Sequence, residues 1–153
     1  MRYGKRPLVV GAIAASATAA AAFAVAAGSA SGIDTPQTMD LKVGRGHDTA
    51  VDVGKHGDSI GDGFITTGAR LTDTSGKVAG SADVLGTILS RGEDAVQISL
   101  RLPAGRVEVR GIQPTSGRPT DLAVVGGTGA YSNVRGELRL IPRTQTLELH
   151  LEP

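Results

Sequence analysis

From Thr38 onward the chain alternates apolar and polar side chains with a period of two. Val96, Ile98, Leu100 and Leu102 are separated by Gln97, Ser99 and Arg101, and Val107 and Val109 stand between Arg106, Glu108 and Arg110. Val134, Leu138 and Leu140 interleave with Arg135, Glu137 and Arg139, and Leu147, Leu149 and Leu151 with Glu148, His150 and Glu152. Such alternation marks antiparallel strands with one dry and one wet face. Turn residues divide the runs at Thr74-Ser75-Gly76, Pro103-Ala104-Gly105, Pro114 to Pro119 and Gly126 to Gly129. The pattern predicts strands near 38–43, 64–73, 77–90, 94–102, 106–113, 121–125, 134–141 and 145–152. Eight short strands joined by short loops suggest an up-and-down barrel or a sandwich. Closure into a barrel would remove exposed edges.

The first thirty residues follow another logic. Arg2, Lys5 and Arg6 precede an apolar, Ala-rich stretch from Leu8 to Ala27, and Ala24-Val25-Ala26 and Gly28-Ser29-Ala30 are small-x-small steps. This is the pattern of a secretory signal peptide, assigned to 1–30 with cleavage between Ala26 and Gly32, which leaves a barrel domain over 31–153. The alternative is an uncleaved membrane anchor, since about 20 apolar residues can span a bilayer. Alanine is a weak membrane former, so cleavage is favoured; no stable membrane anchor is expected after it, and the product is expected to be secreted from a bacterium. Of 153 residues, 16 are Lys or Arg and 15 Asp or Glu; without the three leading cations the balance turns mildly acidic. That argues against a nucleic-acid partner, which needs a clustered positive field. The absence of cysteine excludes disulfides, Cys-ligated zinc and thiol nucleophiles.

Two stretches invite a chemical reading. Residues 44–63 hold His47, Asp48, Asp52, His56, Asp58 and Asp62 among glycines. Asp58-Ser59-Ile60-Gly61-Asp62 lacks the ligand alternation and distal Glu of a calcium loop, so a solvated, mobile loop without metal is expected. Gly126-Gly127-Thr128-Gly129 hints at a phosphate loop. A strand pattern follows it rather than a helix, however, and Ser132 stands where a dinucleotide fingerprint needs its third glycine. The glycines are read as supplying positive φ in a tight connection between strands, with Tyr131 plugging the barrel end beneath it. Gly136, inside a strand, signals a bulge or close packing. No cofactor is expected.

The run from Ala123 to Gly136, including Gly126, Gly127, Thr128, Gly129, Tyr131, Arg135 and Gly136, resembles the V-x-G-G-T-G-x-[YF]-x-x-[AV]-R-G segment of dirigent proteins and allene oxide cyclase-like barrels. Gly61-Asp62, Phe64 to Thr72 and Gly76-Lys77-Val78-Ala79-Gly80 are similar to that family's strand–turn–strand step, and the likeness covers about residues 60 to 141. The resemblance implies an eight-stranded barrel around a small hydrophobic molecule. It also implies stereoselective cyclisation or coupling by confinement, and homo-oligomers, often trimers, packed through barrel walls. The chain departs from the cyclases in having only Asp40 on its first strand and no asparagine on its second. No acid or aromatic is read on the inward stripes, and Glu108, Glu137, Glu148, Arg110 and His150 are read as outward.

The expected ligand-lining set is Leu41, Val84, Ile98, Leu100, Val109, Val124, Leu138 and Leu149. Arg70 joins it at the cavity mouth, since alternation puts it on the face of Phe64. Few inward polar groups favour a binding barrel over an enzyme, with catalytic residues unassigned and any enzyme isomerase- or cyclase-like. The alternative is a non-catalytic extracellular scaffold with a filled core. A hydrolase is disfavoured because no histidine lies near a G-x-S-x-G motif.

Overall fold

The computed structural model describes residues 32–54 and 56–153; the signal segment read at 1–30 lies outside the described residues. Nine strands follow in order: β1 (Gln37–Val43), β2 (His47–Val51), β3 (Gly63–Thr72), β4 (Val78–Ile88), β5 (Glu93–Leu102), β6 (Gly105–Pro114), β7 (Thr120–Gly129), β8 (Arg135–Ile141) and β9 (Thr146–Glu152). From β3 onward each pairs antiparallel with the next, β9 pairs with β1, and β1 meets β3 to close the wall. β1 and β2 share one edge of β3, through Val43↔Leu71 and through His47↔Thr67 to Val51↔Gly63. They are two halves of a single interrupted stave. The architecture is therefore a closed, eight-staved antiparallel barrel.

The predicted alternation sets the core. On β5, Val96, Ile98 and Leu100 point inward and are buried, with Gln97 and Ser99 between them on the wet side. Leu71, Leu100, Leu122, Leu138, Leu149, Leu151, Val107, Val109 and Val134 have almost no accessible surface. Fully burying a leucine side chain contributes about 1.5–3 kcal/mol, so these stripes dominate the stability of a chain without disulfides. Outside, charges pair across strands: Arg101 with Asp83, Arg139 with Asp121 at 3.8 Å, and the Ser99 hydroxyl donates to Glu108 at 2.7 Å.

The two ends of the barrel differ. Three tight turns, at 73–77, 103–104 and 130–133, lie at one end. There Tyr131, Val134 and Leu102 close the barrel with Ile33, whose carbonyl accepts the Asn133 side-chain amide. Tyr131 is 3% exposed, and burial pushes its phenol above the ordinary value. The loops at 52–62, 89–92, 115–119 and 142–145 surround the other end, and only 52–62 is much longer than the turns opposite.

Two local readings are corrected. Gly126 to Gly129 form the last four residues of β7, and the turn falls at 130–133. The register slips there, from Glu108↔Gly126 to Val109↔Val124, so Val125 is the extra residue of a bulge, which Gly126 accommodates with φ of 146°. The glycines serve a bulged, strongly bent strand rather than a connection.

The stretch 44–63, read as solvated and mobile, contains β2 and an ordered closing loop. All five residues of β2 are exposed, so no burial pattern announces it; backbone pairing to β3 makes the strand. Asp62 then organises the loop. Its carboxylate accepts the Val53 N–H at 2.8 Å, the Ser59 N–H at 2.6 Å and the Ser59 hydroxyl at 3.1 Å, although the residue is only 6% exposed. The Val53 amide, then the Ser59 amide, hold this carboxyl below its usual range against the opposing effect of burial. A lowered folded-state pKa contributes stability that is complete above the unfolded value, about 4, and lost as pH falls through the folded one. The protection of the Val53 and Ser59 amides relative to an unstructured chain should therefore be high at neutral pH and fall away below about pH 4. Asp62→Ala should be weakly protected at both pH values, and full protection surviving in that variant would contradict the latch.

Candidate functional site

The candidate site lies at the end of the barrel bounded by the loops at 52–62, 89–92, 115–119 and 142–145. β3 delivers Phe64 and Thr66, β4 Gly86 and Ile88, β5 Asp94 and Val96, β6 Gly111 and Gln113, and β7 Thr120, each on its strand's inward parity. Phe64, Val84 and Leu140 are half-buried and packed against the core beneath. Two wall positions carry no side chain. The ring of Phe64 occupies the space a Gly86 side chain would take, and a Cβ at Gly111 would lie 2.6 Å from a Leu122 methyl. The glycines thus act as floor plates on which neighbouring side chains rest. Phe64 itself is only half-buried.

The ligand-lining set divides along the barrel axis. Leu100, Val109, Leu138 and Leu149 are 0% exposed, so no molecule as small as water touches them. Leu41, Ile98 and Val124 are nearly as closed, and Val84 is half-buried toward the open end. These residues form one continuous core.

Arg70 is not at the mouth. Between Thr66↔Val84 and Ala69↔Ala82, β3 spends Thr67 and Gly68 against Asp83 alone. That odd residue reverses inward and outward for everything after it: Phe64 faces in, Ala69 and Leu71 face in, and Arg70 is exposed on the wet face. The bulge is held by Asp83, which accepts the Gly68 N–H at 2.8 Å while pairing with Arg101. A glycine amid a strand was its only sequence signal.

The reading that no acid or aromatic faces inward is also corrected, by Asp94 and Phe64. Asp94 opens β5 on the stripe of Val96, Ile98 and Leu100, is 6% exposed, and sits across from Ile88 and Gln113. Its Oδ1 atom is buried with no hydrogen-bond partner among the described residues. The sequence places Asp94 at the start of the strand 94–102, but the inward stripe is read only from Val96 onward.

Arg135 and Thr128 are exposed, Arg135 donating to the Val134 carbonyl at 2.8 Å, and His150 is exposed beside Thr38. A depression on the outer wall is edged by Glu137, His150 and Glu152, and another by Leu85, Gln97 and Arg110. Among the described residues no three His, Asp or Glu converge as metal ligands would.

Solved structures share this architecture. Pyocyanin demethylase is similar over 76% of this chain and 100% of its own, with 28% identity and a TM-score of 0.67. A nonspecific heme-binding cyclase that catalyses a cycloaddition during neoabyssomicin biosynthesis is 17% identical, and a Diels–Alderase from Streptomyces koyangensis 18%, both with a TM-score of 0.55. Each matches 76% of this chain, which spans 62% of theirs. No protein-family model and no curated protein sequence matches.

Proposed function

We propose that this chain is an exported β-barrel that takes a small hydrophobic molecule into its open end and, by restricting that molecule's conformers, favours one course of ring closure or coupling. The observation that carries the reading is the lopsided interior. One end is sealed to water, while the other presents Phe64, Val84 and Leu140 half-buried above the core, beside wall positions reduced to Gly86 and Gly111. An apolar barrel end with few polar groups, once the Phe64 ring moves aside, would suit a small ligand. Holding a flexible molecule in one near-reactive shape saves orientation entropy without strong acid–base groups. The likeness to a demethylase and to two cyclases supports a small-molecule role. Export rests on the basic start, apolar run and small-x-small steps of the first thirty residues.

Native mass spectrometry of protein from culture supernatant tests both parts. The expected result is a chain beginning between residues 27 and 32 with an added mass that is lost on denaturation. A bare mass, and no uptake of 1-methylnaphthalene by the purified protein, would overturn the binding reading. The second reading, a filled scaffold, would then lead; the closed surfaces of Leu100, Val109, Leu138 and Leu149 favour it.

Phe64 provides a sharper check. If its ring occupies the entry, Phe64→Ala should bind 1-methylnaphthalene at least about tenfold more tightly than the wild type, because the competent state no longer has to be opened. The stability cost should stay below the ~3–5 kcal/mol of a fully buried phenylalanine, since this ring is half-buried. Unchanged or weaker affinity would place the ring outside the entry path.

A further inference from the structure

We infer that the molecule admitted at the open end carries a proton-donating polar head, a hydroxyl or an amine, that docks on Asp94; this rests on the binding function proposed above. The other inward positions of β5 from Val96 to Leu102 are aliphatic. Asp94 breaks that stripe at the start of β5, beside the 89–92 loop, and is only 6% exposed. Its cross-strand neighbours, Ile88 and Gln113, offer no cation, and its Oδ1 lacks a partner among the described residues. A buried acceptor without a donor is a destabilising feature that leucine or valine here would abolish, so the site makes physical sense when a ligand supplies the missing proton.

A carboxylate oxygen accepts hydrogen bonds, which selects the ligand's head. A hydroxyl or an ammonium satisfies Oδ1, a methyl group leaves it bare, and a carboxylate is repelled. The open-end loops carry Arg91, Arg118 and Arg143, all exposed. In water their fields are screened, whereas the enclosed oxygen acts at contact distance. Apolar walls and one acceptor thus define the class: a small hydrophobic body with a single donor at one end.

The test compares four probes of one shape by calorimetry on the purified protein: 1-methylnaphthalene, 1-naphthylmethanol, 1-naphthylmethylamine and 1-naphthoate. In the wild type the alcohol and the amine should bind at least about tenfold more tightly than 1-methylnaphthalene, with 1-naphthoate weakest; a preference for one donor identifies which head the site takes. In Asp94→Leu the advantage of both donors should vanish and the melting temperature should rise. Asp94→Asn, which keeps the shape, is the second variant and should abolish the amine's advantage. Equal affinities for the hydrocarbon and both donors in the wild type, or donor advantages that persist in Asp94→Leu, would overturn the head-group assignment while leaving the binding function standing. Failure of all four to bind the wild type overturns both.

Discussion

Gly136→Ala is expected to be among the most damaging single substitutions in this protein, at about 3 kcal/mol or more. Gly136 lies in β8 with φ of 134°, a conformation L side chains rarely adopt. A Cβ there would overlap the His150 carbonyl oxygen on the neighbouring β9 and lie 3.3 Å from the Leu151 Cα. The obstacle is backbone in a paired strand, so relief requires separating β8 from β9 where Gly136 faces Leu151. Backbone strain of ~1–3 kcal/mol and an overpacking cost of similar size then add. Gly126→Ala is the control: its φ of 146° is equally unfavourable, but nothing lies within 4 Å of the added carbon. It should show the strain alone, about 1–3 kcal/mol. Urea unfolding of both variants measures the difference, and equal costs would mean that the close approach of β8 and β9 contributes nothing.

Leu138→Ala should cost about 2–5 kcal/mol, the range for truncating a buried leucine whose surroundings cannot collapse. Leu138 faces Leu122 on one side and Leu149 on the other, and all three are at most 1% exposed. Staves fixed by ladders on both edges cannot move inward to fill the gap. Leu85→Ala is the paired measurement. Leu85 points out of the wall and is 51% exposed, so its truncation should stay within about 0.5 kcal/mol. Since marginal stability is typically 5–15 kcal/mol, the Leu138 variant loses a large share of the total. A small loss, with the midpoint and the slope of unfolding near wild type, would mean that Leu138 borders open space, as a ligand-lining residue would.

Much of the barrel can be read in the chain because alternation is a local property. Val96-Gln97-Ile98-Ser99-Leu100 needs no distant information to declare a strand with one dry face, and Leu147 to Leu151 does the same. Eight such runs with short connections leave few arrangements, and closure follows from the need to pair every edge. The same parity rule misplaced Arg70, because it holds only while each residue faces one partner. The extra residue at Thr67–Gly68 is defined by Asp83 on the opposite strand, and it exchanges inside for outside downstream.

β2 escaped for the opposite reason. His47 to Val51 bury nothing, so no hydrophobic signal exists for a strand that β3 alone templates. Asp94 and Asp62 belong with it. In one dimension Asp94 is only the first residue of a predicted strand and Asp62 a loop acid; the closing of the wall turns one inward, its Oδ1 without a partner among the described residues, and gives the other three hydrogen-bond donors.

Residues a few places apart thus set the strands, their dry faces and the closed all-β class, since side-chain periodicity is written along the chain. The interior's character depends on pairings between residues distant in sequence: where a bulge reverses parity, which leucines exclude water, and which carboxylate is enclosed. Burial and hydrogen-bond satisfaction are properties of a surrounded atom, and the neighbours that surround it are assembled only when the barrel closes.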